Sequence, residues 1–348
     1  MSESRPITVG VDGMGGDDGP GVIVEGALLA LRELSQETRV ALIGDQRTLE
    51  AEVRRLDPSG SAGSRLLIEH AAESVGMGED AATATRRKKD SSLAIGTRLI
   101  KEGRLDALFS AGNTGAMVAA SLLNVGRIPG VLRPALATRI PAETPSGSCV
   151  ILDVGATADC KPAYLAQFAV MGDIYARSAL GVANPRIGLL NIGEEPSKGN
   201  ELAREAHALL ARAPIQFVGN VEGRDFFRGQ ADVVVTDGFT GNVVLKFLES
   251  VLGWTGRLLK DEVRTSLIAR LGALMLLPSL SNLRRRLDYA EVGGAPLLGV
   301  AGACIVGHGR SSPRAVKNGL KAGASFVAQN INEQIQAALG KEMAEHVG

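Results

Sequence analysis

The sequence predicts an α/β fold in which helices cover a mostly parallel sheet, and three observations support this class. Short apolar runs rich in β-branched residues alternate with helical patterns along most of the 348 residues, as they do in consecutive βαβ units. Apolar residues make up 45% of the chain and aromatic residues only 3%, which is typical of buried parallel strands. Nearly every strand-like run ends in a loop of glycine with Asp, Asn, Ser or Lys.

The elements are expected in the following order along the chain. Strands are predicted at residues 7–11, 40–43, 66–69, 107–110, 149–153, 187–191, 215–218, 233–236 and 303–306. Helices are predicted at residues 22–34, 91–102, 114–124, 162–180, 198–211, 242–259 and 313–336. Because no repeat or low-complexity linker interrupts them, we expect residues 1–348 to form a single catalytic unit in two lobes, with a helical apolar protrusion at about 247–290.

Charge and cysteine usage narrow the classes of function. Basic and acidic residues number 38 each, so no net field attracts nucleic acid, and no nucleic-acid partner is expected. Cys149, Cys160 and Cys304 are odd in number and lack metal-ligand spacing, which indicates a reducing compartment and no metal site. No signal peptide is visible, and the longest apolar run, 267–280, is interrupted by Arg270 and Pro278. We therefore expect a cytoplasmic chain that does not span a membrane.

Six polar, glycine-rich loops follow the predicted strands. They are residues 12–17, 110–115, 191–200, 219–223, 237–242 and 307–312. In an open parallel sheet the carboxyl ends of the strands form one edge, where ligands bind. All six loops are therefore predicted to converge on one site.

Two of these loops, 112–115 and 238–242, run directly into a predicted helix. Unpaired backbone N–H groups at such a helix start suit a phosphate or a developing oxyanion. A single loop of this kind is as often only a tight turn, but several in one sheet favour an anion site. No GxGxxG, GxxxxGK[ST] or GxSxG pattern occurs, so a dinucleotide site, a P-loop and a serine elbow have no local support, and no cofactor is expected.

Two side chains in the loops are candidates for chemistry. Lys198 lies at a predicted helix start, where the helix dipole disfavours a cation unless an anion is bound beside it. The alternative is an exposed lysine paired with Glu194 or Glu195. His308 stands between two glycines at a strand end, where it could exchange a proton near neutral pH, although a purely structural histidine is nearly as good an interpretation.

Asp90 lies between the basic run 86–89 and two serines. Its simplest role is the N-cap or N-terminal charge of the helix predicted from Ser91. The basic run is more often a solvated face, but it could also receive an acidic partner.

The segment 251–287 differs from the rest because it is rich in Leu and Met and ends in three consecutive arginines at 284–286. Such a segment can lie at a bilayer interface without crossing it. A dimer interface or ordinary core is an equally good interpretation. The residues proposed to contact a membrane or an acyl chain are Leu271, Leu274, Met275, Leu276 and Leu277.

Seven motifs in this order resemble the phosphate acyltransferase family of bacterial phospholipid synthesis, along nearly the entire chain. They occupy residues 12–17, 88–92, 110–116, 189–195, 198–200, 237–242 and 293–299. Members of the family usually have alanine where this chain has Gly13 and an aromatic residue where it has Asp18. Neither difference touches a group expected to do chemistry.

The resemblance implies a three-layer α/β/α fold related to isocitrate/isopropylmalate dehydrogenases and to phosphotransacetylases. It implies a homodimer, peripherally associated with the inner face of the cytoplasmic membrane. It also implies a reaction in which phosphate attacks the thioester of long-chain acyl carrier protein, giving acyl phosphate and free carrier. A downstream glycerol-3-phosphate acyltransferase would then use the product for phosphatidic acid synthesis.

Roles for individual residues follow from combining this reaction with the loop chemistry. Lys198 and the backbone at 112–115 are predicted to hold phosphate, and Asn242 to stabilise the oxyanion. His308 is predicted to assist departure of the thiol, and Asp90 to orient Lys198 or His308. Further predicted phosphate or substrate contacts are Asp12, Gly15, Gly16, Ser110, Gly112, Asn113, Thr114, Gly115, Asn191, Gly193, Asp237, Gly238, Thr240 and Gly241.

Three other functions compete with this one. An oxidoreductase of the related dehydrogenase fold would need a cluster of Asp ligands and an Arg-rich pocket, which are not evident. A membrane scaffold without activity leaves the six polar loops unexplained. A phosphotransacetylase acting on acyl-coenzyme A is closer, and only a comparison of substrates separates it.

Overall fold

The computed structural model describes residues 6–287 and 293–345, with side chains described for 6–279 and 293–340. These residues form one eleven-stranded sheet with helices on both faces, a three-layer α/β/α arrangement. The strands are β1 (Thr8–Asp12), β2 (Arg39–Gly44), β3 (Leu66–His70), β4 (Ala107–Ser110), β5 (Ala135–Pro141), β6 (Ser148–Leu152), β7 (Arg186–Leu190), β8 (Gln216–Val221), β9 (Val233–Val235), β10 (Ala295–Leu298) and β11 (Ala303–Val306). The helices are α1 (Pro20–Glu33), α2 (Gln46–Leu56), α3 (Ala81–Arg87), α4 (Ser92–Lys101), α5 (Thr114–Ala120), α6 (Pro162–Leu180), α7 (Glu201–Leu210), α8 (Gly238–Arg264), α9 (Leu267–Leu287), α10 (Pro313–Ala328) and α11 (Ile331–Glu345).

The sheet contains two parallel sets of strands that run in opposite directions. Its order is β3-β2-β1-β4-β11-β10-β5-β6-β9-β7-β8. The strands from β3 to β11 in this order are parallel, and so are β6, β9, β7 and β8. Between the sets, β10 is antiparallel to β11 and to β5, and β5 is antiparallel to β6. Three successive reversals leave the second set pointing opposite to the first.

Side chains on the central strands alternate between two hydrophobic clusters, one on each face of the sheet. Val9, Val11 and Phe109 belong to the cluster that also contains residues of α1, α6, α10 and α11. Ile43 and Leu108 belong to the opposite cluster, with residues of α4 and α5. Burial on both faces explains why these strands are apolar along their whole length.

The nine predicted strands are all present, with ends displaced by a few residues at most. Strands β5 and β10 are not predicted, because β5 mixes small and polar residues and β10 is only four residues long with a proline inside. Helices α2 and α3 are also missed. The single helix predicted at 313–336 is wrong: α10 and α11 are separated at Asn330, whose φ of 51° is not helical.

Helices α8 and α9 follow the last parallel strand of the second set and contact each other. α8 begins four residues before the predicted start at 242, and the apolar run 267–280 lies within α9, which contains Pro278. Within the described ranges, no helix is long and apolar enough to cross a membrane. The division into two lobes with an apolar protrusion stays a prediction.

Candidate active site

The six polar loops fall into two groups, one at the carboxyl ends of each parallel set of strands. Loops 12–17, 110–115 and 307–312 follow β1, β4 and β11, and their edge is called here the first edge. Loops 191–200, 219–223 and 237–242 lie at the carboxyl ends of β7, β8 and β9, and their edge is called the second edge. Strand direction alone does not fix the distance between the two groups, because each strand of the sheet is twisted against its neighbour, so the convergence of all six loops on one site stays a prediction.

At the first edge, Asp12 is buried and joins two loops. Its carboxylate accepts hydrogen bonds from the Ser110 hydroxyl at 2.8 Å and from the Met14 N–H at 3.2 Å. The Ser110 hydroxyl accepts from the N–H of Gly112 at 3.0 Å. A Cβ at Gly15 would lie 2.7 Å from Asp12 Oδ2, so only glycine fits there. Burial raises the pKa of Asp12, against the hydroxyl and backbone hydrogen bonds that lower it.

Asn113 also holds the first edge together. Its Oδ1 accepts from the N–H of Ala116 and caps α5, which begins at Thr114, while its Nδ2 donates to backbone carbonyls at 76, 77 and 79. With both ends of the amide engaged, the side chain fixes the loop that also contains Gly115. Contact of Asn113 with a substrate stays a prediction.

The loop containing His308 packs onto the same edge. The N–H of Asp17, next to Gly16, donates to the carbonyl of Gly309 at 2.7 Å. His308 Nδ1 accepts from the N–H of Arg310 at 3.1 Å, so this half-buried imidazole helps to shape its own turn. His308 therefore lies with Asp12 and Ser110 at the first edge.

Asp90 is exposed and does not cap the helix that follows it. The N-cap of α4 is Ser91, whose hydroxyl accepts from the N–H of Ala94, so the capping role predicted for Asp90 is wrong. The Asp90 carboxylate instead lies 3.8 Å from the guanidinium of Arg98. Asp90 comes just before α4, which packs on β1, β2 and β4.

At the second edge, the sequence analysis missed the central residue, Asp153. The carboxylate is fully buried and accepts from four backbone N–H groups, those of Leu136, Gly155, Ala156 and Thr157, at 2.6 to 3.1 Å. Burial raises the pKa of Asp153, against these hydrogen bonds that lower it. The signal was present, because Asp153 ends a predicted strand and a glycine follows two residues later.

The first turn of α8 packs over Asp153. Asp237 caps this helix by accepting from the N–H of Thr240 at 2.8 Å, and the Thr240 hydroxyl donates to its other oxygen at 2.8 Å. Gly238 and Gly241 are buried against Asp153, where a Cβ would collide with its atoms. This close approach places Asn242, the next residue, at the exposed surface of the edge.

Asn242 lies over the loop that Asp153 organises. A Cβ at Gly155, which has φ of 138°, would be 3.0 Å from Asn242 Nδ2. In the part of the chain that the structure describes, no hydrogen bond engages the Asn242 amide. Its two N–H donors are therefore available to a ligand.

Lys198 lies in a loop that its neighbours hold by the backbone. Asn191 Nδ2 donates to the carbonyl of Lys198 at 3.1 Å, and a Cβ at Gly193 would lie 2.8 Å from Lys198 Cγ. Helix α7 starts at Glu201 with Asn200 as its cap, three residues later than predicted, so Lys198 precedes the helix.

The Lys198 ammonium is exposed, and among the described residues no carboxylate lies within ion-pairing distance of it. Glu194, one of the two partners considered, lies 3.6 Å from Arg224 instead. Since β7 and β9 are neighbouring parallel strands, Lys198 and Asn242 follow adjacent strands at the same edge. A cation and a free amide donor in this arrangement can bind an anion and polarise a carbonyl group.

None of the three cysteines is poised as a nucleophile. Burial raises the pKa of Cys149 to about 12, that of Cys160 to about 12 and that of Cys304 to about 11. Cys160 is the one closest to the second edge, where its thiol donates to the carbonyl of Thr157 at 3.4 Å. At neutral pH these groups are thiols, not thiolates.

The apolar residues singled out in α9 are all strongly exposed. The exposed fraction is lowest for Leu277, at 53%, and highest for Met275, at 83%, with Leu271, Leu274 and Leu276 between them. Phe247 and Trp254 add exposed rings on α8. Exposed large apolar side chains are therefore concentrated on α8 and α9.

The fold matches that of phosphotransacetylases. A phosphotransacetylase from Streptococcus pyogenes gives a TM-score of 0.62 at 16% identity, covering 93% of this chain and 95% of the other. The EutD phosphotransacetylase from Staphylococcus aureus gives a TM-score of 0.59 at 15% identity, covering 93% and 94%. These likenesses define the class by fold: a three-layer α/β/α protein of the phosphotransacetylase type.

Sequence comparison is more specific. The family model described as "Fatty acid synthesis protein" matches residues 7–334. A phosphate acyltransferase from Heliobacterium modesticaldum is 51% identical over 330 residues, 95% of this chain and 97% of the relative. A phosphate acyltransferase from Myxococcus xanthus is 49% identical over 336 residues, which cover 96% of this chain and 94% of the relative. The chain belongs to this phosphate acyltransferase family and is an acyltransferase, which confirms the resemblance seen in its motifs.

Proposed function

We propose that this chain transfers a long-chain acyl group from the thioester of acyl carrier protein to inorganic phosphate. The products are acyl phosphate, for phosphatidic acid synthesis, and the free carrier. The description of the family links it to fatty acid synthesis, and the name of its relatives links acyl transfer to phosphate. The observation that carries the proposal is the exposed ammonium of Lys198, free of carboxylates among the described residues and one strand away from the free amide of Asn242.

The reaction needs no covalent intermediate with the protein. A phosphate oxygen attacks the thioester carbonyl carbon, and the tetrahedral oxyanion then expels the carrier sulfur as the C–S bond breaks. The proton of hydrogen phosphate ends on the carrier thiol. Lys198 holds the phosphate dianion, and Asn242 Nδ2 donates to the oxyanion as it forms. A thiolate leaves readily, so no general acid is required.

The other predicted site residues lie in the other half of the sheet. His308, Asp90 and the backbone at 112–115 belong to the half of the sheet that runs in the opposite direction. The proposed reaction uses Lys198 and Asn242 as its catalytic residues, with Asn191, Gly193, Asp237, Gly238, Thr240 and Gly241 shaping the site around them. His308, Asp90 and the backbone at 112–115 keep the supporting roles predicted for them.

A comparison of Lys198→Ala with Lys260→Ala tests the proposal. Lys260 is an exposed lysine on α8 and serves as a matched control. The assay measures the rate at which the wild-type protein releases carrier thiol from palmitoyl carrier protein in the presence of phosphate. Acyl phosphate is trapped by hydroxylamine, and we expect it to form. Lys198→Ala should lower this rate at least about 100-fold while the fold is kept, and Lys260→Ala should not. Absence of acyl phosphate with the wild-type protein would contradict the proposal.

A second candidate is a phosphotransacetylase-like reaction with acyl-coenzyme A, favoured by the structural likeness to phosphotransacetylases. Running palmitoyl-coenzyme A beside the carrier thioester separates the two. A higher kcat/KM for the coenzyme A thioester would make this second candidate the function.

The partners proposed for this chain would bind surfaces outside the candidate active site. We assign the cytoplasm, a homodimer and peripheral membrane contact to this chain, and the exposed apolar residues of α9 support such contact. An acidic carrier protein would dock on the basic run 86–89 or on the arginines at 284–286, whose side chains lie outside those described.

The membrane contact is tested with Leu274→Glu against Leu209→Glu, a leucine on α7 that is 40% exposed. We expect Leu274→Glu to reduce binding to anionic vesicles about tenfold or more, because it places a charge in the apolar surface. Leu209→Glu should bind like wild type. Unchanged vesicle binding by Leu274→Glu, with a change in oligomeric state instead, would assign the surface to the dimer.

A further inference from the structure

A basic pocket lies among α3, α4 and the turn at 121–125, and none of its lining residues belongs to the six loops. It encloses about 150 Å³, enough for several water molecules and therefore for a small anionic group. Three of its lining residues are cations: Arg86, Lys89 and Arg98. The carboxylate of Asp90, 3.8 Å from Arg98, is an exposed partner for only one of them.

Thr85, which lines the same pocket, has a buried hydroxyl. Thr85 is 6% exposed, and its Oγ1 is enclosed without a hydrogen-bond partner in the structure. A buried hydroxyl in this state costs free energy unless a ligand or water satisfies it. Asn124 also lines the pocket, and its Nδ2 donates to Thr97 Oγ1 at 2.9 Å, so one of its N–H donors is already engaged.

The remaining wall is apolar. Ala94 lines the pocket beside the cations, and Leu123, 61% exposed, stands at its side. A ligand that fits both surfaces carries a compact group of about two negative charges and an attached carbon chain. A carboxylate of a docking protein is a poorer match for this pocket, because it carries only one negative charge and would not need the enclosed hydroxyl.

We propose that this pocket binds the phosphate group of a phosphate monoester, with Thr85 Oγ1 donating to a phosphate oxygen, the three cations balancing its charge, and Leu123 contacting the ester carbons. The ester is either a soluble compound or a lipid headgroup, because both present the same group. The site is separate from Lys198 and does not depend on the proposed reaction.

Titration calorimetry of the full-length protein with hexyl phosphate tests this. Thr85→Val removes the hydroxyl at nearly constant shape, and Arg98→Gln removes one cation. Lys101→Gln, an exposed lysine at the end of the same helix that does not line the pocket, is the control. We expect wild type and Lys198→Ala to bind hexyl phosphate at this site with the same affinity. The affinity should be about tenfold lower in Thr85→Val and in Arg98→Gln, and within about twofold of wild type in Lys101→Gln.

Several outcomes would overturn the proposal. Binding that Lys198→Ala removes and Thr85→Val leaves intact would mean that only the second edge binds phosphate. An equal loss in Lys101→Gln would mean general charge attraction. A parallel experiment measures binding to vesicles with and without phosphatidate. If the protein binds only the vesicles that contain phosphatidate, and Thr85→Val weakens this binding, the phosphate monoester is a lipid headgroup. If Thr85→Val weakens binding of acyl carrier protein and no phosphate ester binds, the pocket is a protein-docking site.

Discussion

The two edges of the sheet use their polar residues in opposite ways. At the first edge, Asp12, Ser110 and Asn113 bond to one another's loops and are occupied in holding them. At the second edge, Asp153, Asp237 and Asn191 hold the loops. Lys198 and Asn242 are left exposed there, with no side-chain partner among the described residues. Glycine-rich loops of similar composition can therefore have their polar side chains hydrogen-bonded within the protein at one edge and free to bind a ligand at the other.

The largest expected effect is on stability, from replacing the carboxylate at each edge by its amide. Asp153→Asn turns an –NH2 group toward backbone N–H donors in either orientation, because both oxygens of Asp153 accept from them. We expect it to lower the free energy of unfolding by about 3–5 kcal/mol. Asp12→Asn can keep its oxygen on the Met14 N–H and donate to the Ser110 hydroxyl, so about 1 kcal/mol is expected.

Urea denaturation of the two variants beside wild type measures this difference. Equal losses would show that the second edge does not depend on one carboxylate, and the contrast between the edges would fail. The Asp12→Asn protein is the internal control, since it makes the same chemical change in a carboxylate that is also buried.

The next effect is on activity. Asn242→Ala removes the amide proposed to stabilise the oxyanion, and we expect kcat to fall about 100-fold. Its stability should stay within about 0.5 kcal/mol of wild type, because the side chain is exposed. Ser250→Ala, an exposed change further along α8, is the control. A loss of kcat below about threefold in Asn242→Ala would remove this residue from the mechanism.

Local patterns were sufficient to predict most strands and the polar character of the loops. The apolar runs of β1, β4 and β11 are short, β-branched and bounded by glycine, and all three are present in the structure. Lys198 was a candidate because it lies at a predicted helix start, where the helix dipole disfavours a cation without a bound anion, and Asn242 because the loop 237–242 suits the oxyanion of the reaction that the family resemblance implies.

The direction of the strands could not be predicted from the same patterns. It depends on β5 and β10, whose sequences are too short or too mixed to identify as strands. Missing them removed the three antiparallel pairings and merged two edges into one. Asp153 was missed for a related reason: its role consists of bonds to the N–H of Leu136 and to its own loop, and the first of these exists only when β5 is in place.

The smallest expected effect comes from the glycines that let α8 approach Asp153. A Cβ at Gly238 would lie 2.6 Å from Asp153 Oδ2 and 2.6 Å from the carbonyl oxygen of Thr157, so Gly238→Ala forces the helix start outward. We expect a loss of about 1–3 kcal/mol in the free energy of unfolding, with a fall in kcat because Asn242 moves with the helix. Urea denaturation and the acyl phosphate assay measure both quantities.

Two further glycines sharpen this result. At Gly253, in the exposed middle of α8, the nearest atom to a new Cβ is the flexible end of Arg257 at 3.6 Å, so Gly253→Ala should stabilise the protein by about 0.5–1 kcal/mol.

At the first edge, the new Cβ of Gly15→Ala would lie 2.7 Å from Asp12 Oδ2, so this variant should be destabilised as Gly238→Ala is. If the second edge alone carries the chemistry, the folded fraction of Gly15→Ala keeps its kcat, whereas that of Gly238→Ala does not. Equal losses of kcat would place part of the reaction at the first edge.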